Sequence, residues 1–219
     1  MDDEKRILLL GTNNPNKARE ITDIFQQTEM ANLRIAVCLP KVYGISIDVE
    51  ETGTTYAENA YLKAKAIWDA AHAQGVNCDV LAEDSGLEVL ALGGVPGLYT
   101  KRWAGENATD ADRIAKLLHE MEPFADECER LATYVCHACL IDRDGAAHYF
   151  DGTCTGTILK APQGENGFGY DPVFAYLGDS FAELPEARKN IFSHRGFAMR
   201  EVADYYIQLA HQGGIGFEK

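Results

Sequence analysis

The run Ile7-Leu8-Leu9-Leu10, followed within a few residues by Asn14-Pro15, is the feature that most constrains the fold. Four consecutive apolar residues within residues 5–11 read as a strand buried on both faces. Asparagine is a favourable helix N-cap, and proline suits the first helical position. Ala18, Ile21, Ile24 and Phe25 then recur at helical spacing, so a helix to about residue 29 is predicted. A doubly buried strand feeding a helix is the opening of an α/β fold.

A second buried run, Val80-Leu81-Ala82, leads into Glu83-Asp84-Ser85-Gly86. It reads as a strand end followed by a turn. In open α/β sheets ligands gather at the carboxyl edges of strands. Two acids there, beside a glycine that admits close backbone approach, suit a hard cation. They equally suit an ordinary solvated turn. Glu50-Glu51-Thr52-Gly53 stands in a similar place, after a candidate strand at residues 44–49 and before a helix over about residues 54–73. Acids from two such sheet ends can meet at one ion, or simply favour a helix start.

Lys17 falls in the first turn of the first helix, where a cation opposes the macrodipole. The position suits a phosphate bound between the lysine and free backbone N–H groups, or a solvated lysine beside a plain cap. Walker glycine spacing is absent. Residues 33–39 read as a further strand. A helix over residues 110–121 is predicted, capped by Thr109. Residues 131–142, 146–151 and 153–159 read as three strands, with Arg143-Asp144-Gly145 making a hairpin. This antiparallel patch beside a βαβ beginning predicts a mixed sheet.

Gly164-Glu165-Asn166-Gly167-Phe168-Gly169-Tyr170-Asp171-Pro172 is a glycine-rich loop. Phe168 and Tyr170 either offer stacking faces to a base or turn into the core. Residues 181–189 read as helical. Ser193 caps a last helix with His194-Arg195 in its first turn, again cations where the dipole favours an anion, or else two solvent-facing residues.

The balance of 20 basic against 34 acidic residues leaves a net charge of −14, which disfavours duplex nucleic acid and anionic membranes as partners. No apolar run approaches a membrane span, and the acidic residues before Ile7 do not resemble a signal peptide, so a cytoplasmic location is expected. The six cysteines are then free thiols. Cys136-His137-Ala138-Cys139 is not half of a zinc site if it lies on a strand, because residues three apart face opposite sides.

Four blocks in order resemble the inosine triphosphate pyrophosphatase family, hydrolases of non-standard purine nucleoside triphosphates. They are Thr12-Asn13-Asn14-Pro15-Asn16-Lys17, Glu50-Glu51-Thr52-Gly53-Thr54-Thr55-Tyr56-Ala57-Glu58-Asn59-Ala60, Glu83-Asp84-Ser85-Gly86-Leu87 through Tyr99, and Gly167-Phe168-Gly169-Tyr170-Asp171-Pro172 with Ser193-His194-Arg195-Gly196. The match is nearer to the bacterial and archaeal branch than to the animal one. Glu83 stands where many members have Asp, and Tyr99-Thr100-Lys101-Arg102-Trp103-Ala104-Gly105 replaces a more usual Tyr-Ser-Ala-Arg-Tyr-Ala-Gly.

The resemblance implies one domain over residues 1–219, an elongated α/β fold with a mixed sheet, flanking helices and a cleft between two lobes, and a homodimer. It implies Mg²⁺-dependent hydrolysis of ITP, dITP and XTP to the monophosphate and pyrophosphate. Carried over by position, Thr12, Asn13, Asn14 and Lys17 belong to the phosphate-binding turn. Glu50 and Asp84 would bind metal, with Asp84 also the proton acceptor and Ser85 touching substrate. Phe168, Gly169, Tyr170, Asp171, Lys189, His194 and Arg195 would recognise base and phosphate. A hydrolase of other modified nucleotides and a non-catalytic nucleotide sensor are the alternatives; a sensor is expected to have lost Asp84 or Lys17, and both are present.

Overall fold

The computed structural model describes residues 5–46 and 48–218. The reading of the extreme N-terminus therefore rests partly on residues 1–4, outside the described residues. Seven strands form one mixed sheet in the order β2-β1-β3-β4-β5-β6-β7. They are β1 (Arg6–Leu10), β2 (Ile35–Cys38), β3 (Asp79–Val89), β4 (Leu131–Ile141), β5 (Ala147–Ile158), β6 (Phe174–Tyr176) and β7 (Asp179–Ser180). Strand β1 pairs in parallel with both β2 and β3, whereas β6 pairs antiparallel with both β5 and β7. Helices α1 (Pro15–Gln26), α2 (Tyr56–Ala73), α3 (Asp110–Glu120), α4 (Glu186–Phe192) and α5 (His194–His211) complete the fold.

The chain divides into two compact units. The first comprises residues 1–84, 136–151 and 195–219. Its strands alternate between two apolar layers, as the two-residue strand period requires. Leu8, Leu10, Leu81, Cys136, Ala138 and Leu140 pack in one cluster with residues of α1 and α5. Leu9, Val80, Ala82, Cys139 and Ile141 pack in another with Ala60, Ala64 and Ile67 of α2. Cys136 and Cys139 thus lie in different layers, as expected of residues three apart on a strand. At the start of β3, buried Asp79 accepts from Arg6 Nη2 (2.8 Å), Tyr206 Oη (2.8 Å) and the Arg143 backbone N–H (2.8 Å). That carboxylate ties β1, α5 and the turn after β4 together.

The second unit comprises residues 85–135 and 152–194. Its core gathers Leu87, Val89, Leu117, Met121, Tyr134, Phe174 and Phe181. Arg130 is buried in it, and its guanidinium donates to the carbonyls of Ile158, Met121, Phe124 and Leu159. Four carbonyl acceptors substitute for a carboxylate partner and satisfy four of its five donors.

Five sequence expectations need correction. Glu83-Asp84-Ser85-Gly86 is not a turn: β3 runs through it without a break. The two acids are buried, and cations rather than water match them. Residues 44–49 are not a strand, since residues 45–46 and 48–49 are irregular and Ile47 lies outside the described residues. Residues 147–158 form one strand, with inward and outward positions alternating through Gly152. Residues 181–184 are a turn, and α4 begins only after Pro185; helical geometry is disfavoured for the residue before a proline. His194 and Arg195 are buried, not solvent-facing.

Candidate active site

In the first unit the residues of interest converge on two consecutive carboxylates. Adjacent strand residues point to opposite faces, so Glu83 and Asp84 enter different surroundings. Glu83 faces α1 and α5. Its Oε1 lies 3.0 Å from Lys17 Nζ and 3.2 Å from Arg195 Nε. Arg195 Nη1 reaches Glu20 Oε2 at 2.5 Å, and Cys136 Sγ lies 3.8 Å from Glu83 Oε2. Lys17, Glu83, Arg195 and Glu20 form an alternating four-charge chain that sums to zero. Burial alone would raise the Glu83 pKa, but Lys17, Arg195 and Lys63 outweigh it and hold the carboxyl well below the ordinary range.

Asp84 faces α2. Asn59 Nδ2 donates to its Oδ2 at 3.1 Å, and Lys63 Nζ lies 3.3 Å from its Oδ1. The same ammonium donates to Glu51 Oε1 at 2.9 Å. Asn59 and Lys63 lie one turn apart and share a helix face. Asn59 Oδ1 also accepts the Gly53 N–H at 2.8 Å, which fastens the Glu50-Glu51-Thr52-Gly53 loop to α2. Desolvation raises the Asp84 pKa, against the opposing pull of Lys63 and Lys17. Glu50 is exposed on this loop, one residue from Glu51.

The N-terminal turn is built by Asn14. Its Oδ1 accepts from the Asn16 and Lys17 N–H groups, and Thr12 Oγ1 accepts the Asn14 N–H at 3.1 Å. The cap leaves the first turn of α1 beside Lys17, whose ammonium is committed to Glu83. Asn13 is exposed within the same turn.

In the second unit, Asp171 organises the glycine-rich loop. It is buried, and its Oδ2 accepts from Lys189 Nζ at 2.6 Å and the Phe168 N–H at 2.8 Å. Gly167 and Gly169 flank Phe168 with φ of +74° and +64°, a region that disfavours any side chain. The Lys189 ammonium lies 5.0 Å from the Phe168 ring centroid. Tyr170 is in the core, whereas Phe168 is half-buried. His194 stacks on Tyr134 with centroids 4.5 Å apart and planes 5° from parallel. Ser85 is half-buried in β3, one residue beyond Asp84.

Sequence reasoning missed Glu20, Asn59 and Lys63. Lys17 and Glu20 are three apart and share a helix face, a weak signal. Asn59 lies within the second family-like block but no role is carried over to it, and nothing local marks Lys63, because flanking an apolar stripe is also what solvated residues do.

Fold and side-chain geometry define an α/β protein of mixed sheet, with consecutive strand carboxylates buried and matched by cations from the flanking helices. The chain belongs to the Ham1 family, whose model matches residues 8–205. It is 39% identical to the dITP/XTP pyrophosphatase of Syntrophobacter fumaroxidans, over 94% of this chain and 84% of that one. It is 38% identical to the Treponema denticola dITP/XTP pyrophosphatase, over 90% and 97%. Among solved structures, a HAM1 protein from Coxiella burnetii superposes with a TM-score of 0.79 at 34% identity, covering 93% of this chain and 99% of that one. The Staphylococcus aureus Ham1 protein gives 0.77 at 35%, with the same coverage.

Proposed function

We propose that this chain hydrolyses the non-standard purine nucleoside triphosphates ITP, dITP and XTP to the monophosphate and pyrophosphate. The observation that carries this reading is the buried Asp84 carboxylate, aimed by Asn59 and facing Lys63. Burial raises its proton affinity, which suits a group that accepts a proton from an attacking water. The relatives at 38–39% identity are dITP/XTP pyrophosphatases, which supports the same reading.

Asp84 and Glu51 converge on one cation, the Lys63 ammonium, at 3.3 and 2.9 Å. Such an all-oxygen donor pair fits Mg²⁺, which takes one or two carboxylates and fills its other positions with water and phosphate oxygens. Asp84 and the Glu50-Glu51 loop would hold the ion. When bound it would neutralise phosphate charge and orient the phosphates for in-line attack. Lys17, in the first turn of α1, supplies positive charge to the polyphosphate, while Asn14 caps the N–H groups of that turn. Phe168 offers its ring to the base, and the loop fixed by Asp171 and Lys189 supplies hydrogen-bonding groups that read its edge. Arg195 serves by holding Glu83 in place, which in turn orients Lys17. The same reading carries a single catalytic domain and a homodimer, which light scattering of the purified chain tests.

With Mg²⁺ present, pyrophosphate release from ITP is expected to exceed that from ATP by at least ~10²-fold, since unpaired polar groups against the wrong base are costly. Asp84→Asn is expected to lower kcat by ~10² to 10⁴, the usual worth of general-base help, while the protein stays folded. Equal rates on ITP and ATP, or full activity in Asp84→Asn, would refute the reading. A panel with modified pyrimidine triphosphates separates a broader hydrolase from a purine-specific one.

A further inference from the structure

The loop that carries Phe168 is anchored from two sides. Asp171 holds it from within, as described. From outside, Asp110 in the first turn of α3 accepts the Gly169 N–H on Oδ2 at 2.8 Å. Its Oδ1 pairs with Arg113 Nη1 at 2.5 Å, and Arg113 Nε donates to the Lys101 carbonyl at 2.9 Å. One turn further along α3, Lys116 Nζ donates to the Trp103 carbonyl at 2.7 Å and lies 4.5 Å from the Trp103 ring centroid. Helix α3 therefore pins both the glycine-rich loop and the connector at residues 99–105.

Asp110 is not needed to start α3. Thr109 Oγ1 accepts the Asp112 N–H, and Asp112 Oδ2 accepts the Thr109 N–H, a complete capping box without Asp110. The Asp110 side chain is also half-exposed, so it contributes little to the core. Its charge-assisted bond to Gly169 has another consequence. Phe168 sits between two glycines, the residues that lose most backbone freedom on ordering. Restraining both amides keeps the Phe168 ring in one place before a ligand arrives, which lowers the entropic cost of binding.

We propose that Asp110 is a positioning residue for the Phe168 loop, acting through the Gly169 amide and held by Arg113. The inference rests on the reading of that loop as the base-binding element. It predicts a split between binding and chemistry. In Asp110→Ala, KM for ITP is expected to rise about tenfold, kcat to stay within about twofold, and inhibition by inorganic pyrophosphate to be unchanged, because pyrophosphate has no base; one charge-assisted hydrogen bond is worth about this much. In Asp110→Asn, whose amide oxygen still accepts from Gly169, most of the loss should be recovered. Amide hydrogen exchange at Gly169, read without substrate, should quicken about tenfold or more in Asp110→Ala. It should quicken less in Asp110→Asn.

Exchange and KM both unchanged in Asp110→Ala would overturn the proposal. So would parallel loss of kcat, pyrophosphate affinity and melting temperature, the pattern of general damage. If the wild-type chain does not turn over ITP, the functional reading fails while the exchange experiment still decides the tie itself.

Discussion

Glu83 shows how one side chain can hold two elements in register. It pairs with Lys17 of α1 and Arg195 of α5; Glu83 and Arg195 are almost wholly buried and Lys17 is partly so. Removing one member of such a cluster leaves uncompensated buried charge, at a cost of roughly 3–5 kcal/mol. Its folded pKa lies below the ordinary glutamate value of 4.5. The stabilisation is therefore fully present above pH 4.5 and is lost as pH falls through the folded value. Glu83→Gln should be strongly destabilised at pH 7, and its gap from wild type should narrow as pH drops below 4.5. Urea midpoints measured over a pH series check this; a gap that widens toward acid would contradict the assignment. Arg195 illustrates the limit of reading residue by residue. A cation in the first turn of a helix looked like an anion receptor or a solvated residue. Burial against Glu20 and Glu83 places it in an ion cluster and removes the solvated reading.

At the scale of the element, the glycine-rich loop is legible because glycine repetition has few structural explanations. Which glycine does what is decided by neighbours. A Cβ on Gly167 would run into the Asp171 carboxylate, whereas one on Gly169 meets nothing nearby. Both have positive φ. Gly169→Ala should lose only the conformational term, roughly 1–2 kcal/mol. Gly167→Ala should lose more, and it should also raise KM for ITP, because it displaces the carboxylate that holds Lys189 and the Phe168 amide. Chemical denaturation and steady-state kinetics on both variants test the ordering. Helix α2 makes the opposite point. Its apolar stripe and its Thr55–Glu58 capping box are readable from spacing. That Asn59 and Lys63 face Asp84 follows only from how the helix lies on the sheet, so no local pattern announces them. The late start of α4 has a local cause, since Leu184 precedes a proline and is biased away from helical geometry.

Across the whole molecule, an acidic chain of net charge −14 is expected to bind a polyphosphate, and the conflict is resolved by local charge. Mg²⁺ should stabilise the folded state saturably. At a concentration about 100-fold above Kd the gain is about 2.7 kcal/mol, a rise in melting temperature of roughly 5–10 °C for a chain of this size. Asp84→Asn should abolish the shift. Comparing Glu50→Gln with Glu51→Gln assigns the second carboxylate, since only the ligand's loss should weaken the shift. Differential scanning fluorimetry without nucleotide measures all four proteins, and a wild-type shift absent at saturating Mg²⁺ would count against the metal site. Among the described residues no helix is long and apolar enough to cross a membrane.

The order of apolar runs, caps and glycines was enough by itself to determine an α/β chain with a mixed sheet, because strand burial, helix capping and left-handed turns depend on residues near one another in sequence. Tertiary structure alone decided that β3 continues through its two acids, that those acids part to opposite faces, that Lys63, Asn59 and Glu20 are their partners or supports, and that Asp110 holds the Gly169 amide. Charge pairing in a low-dielectric interior depends on distance in space, and a linear pattern does not record that distance.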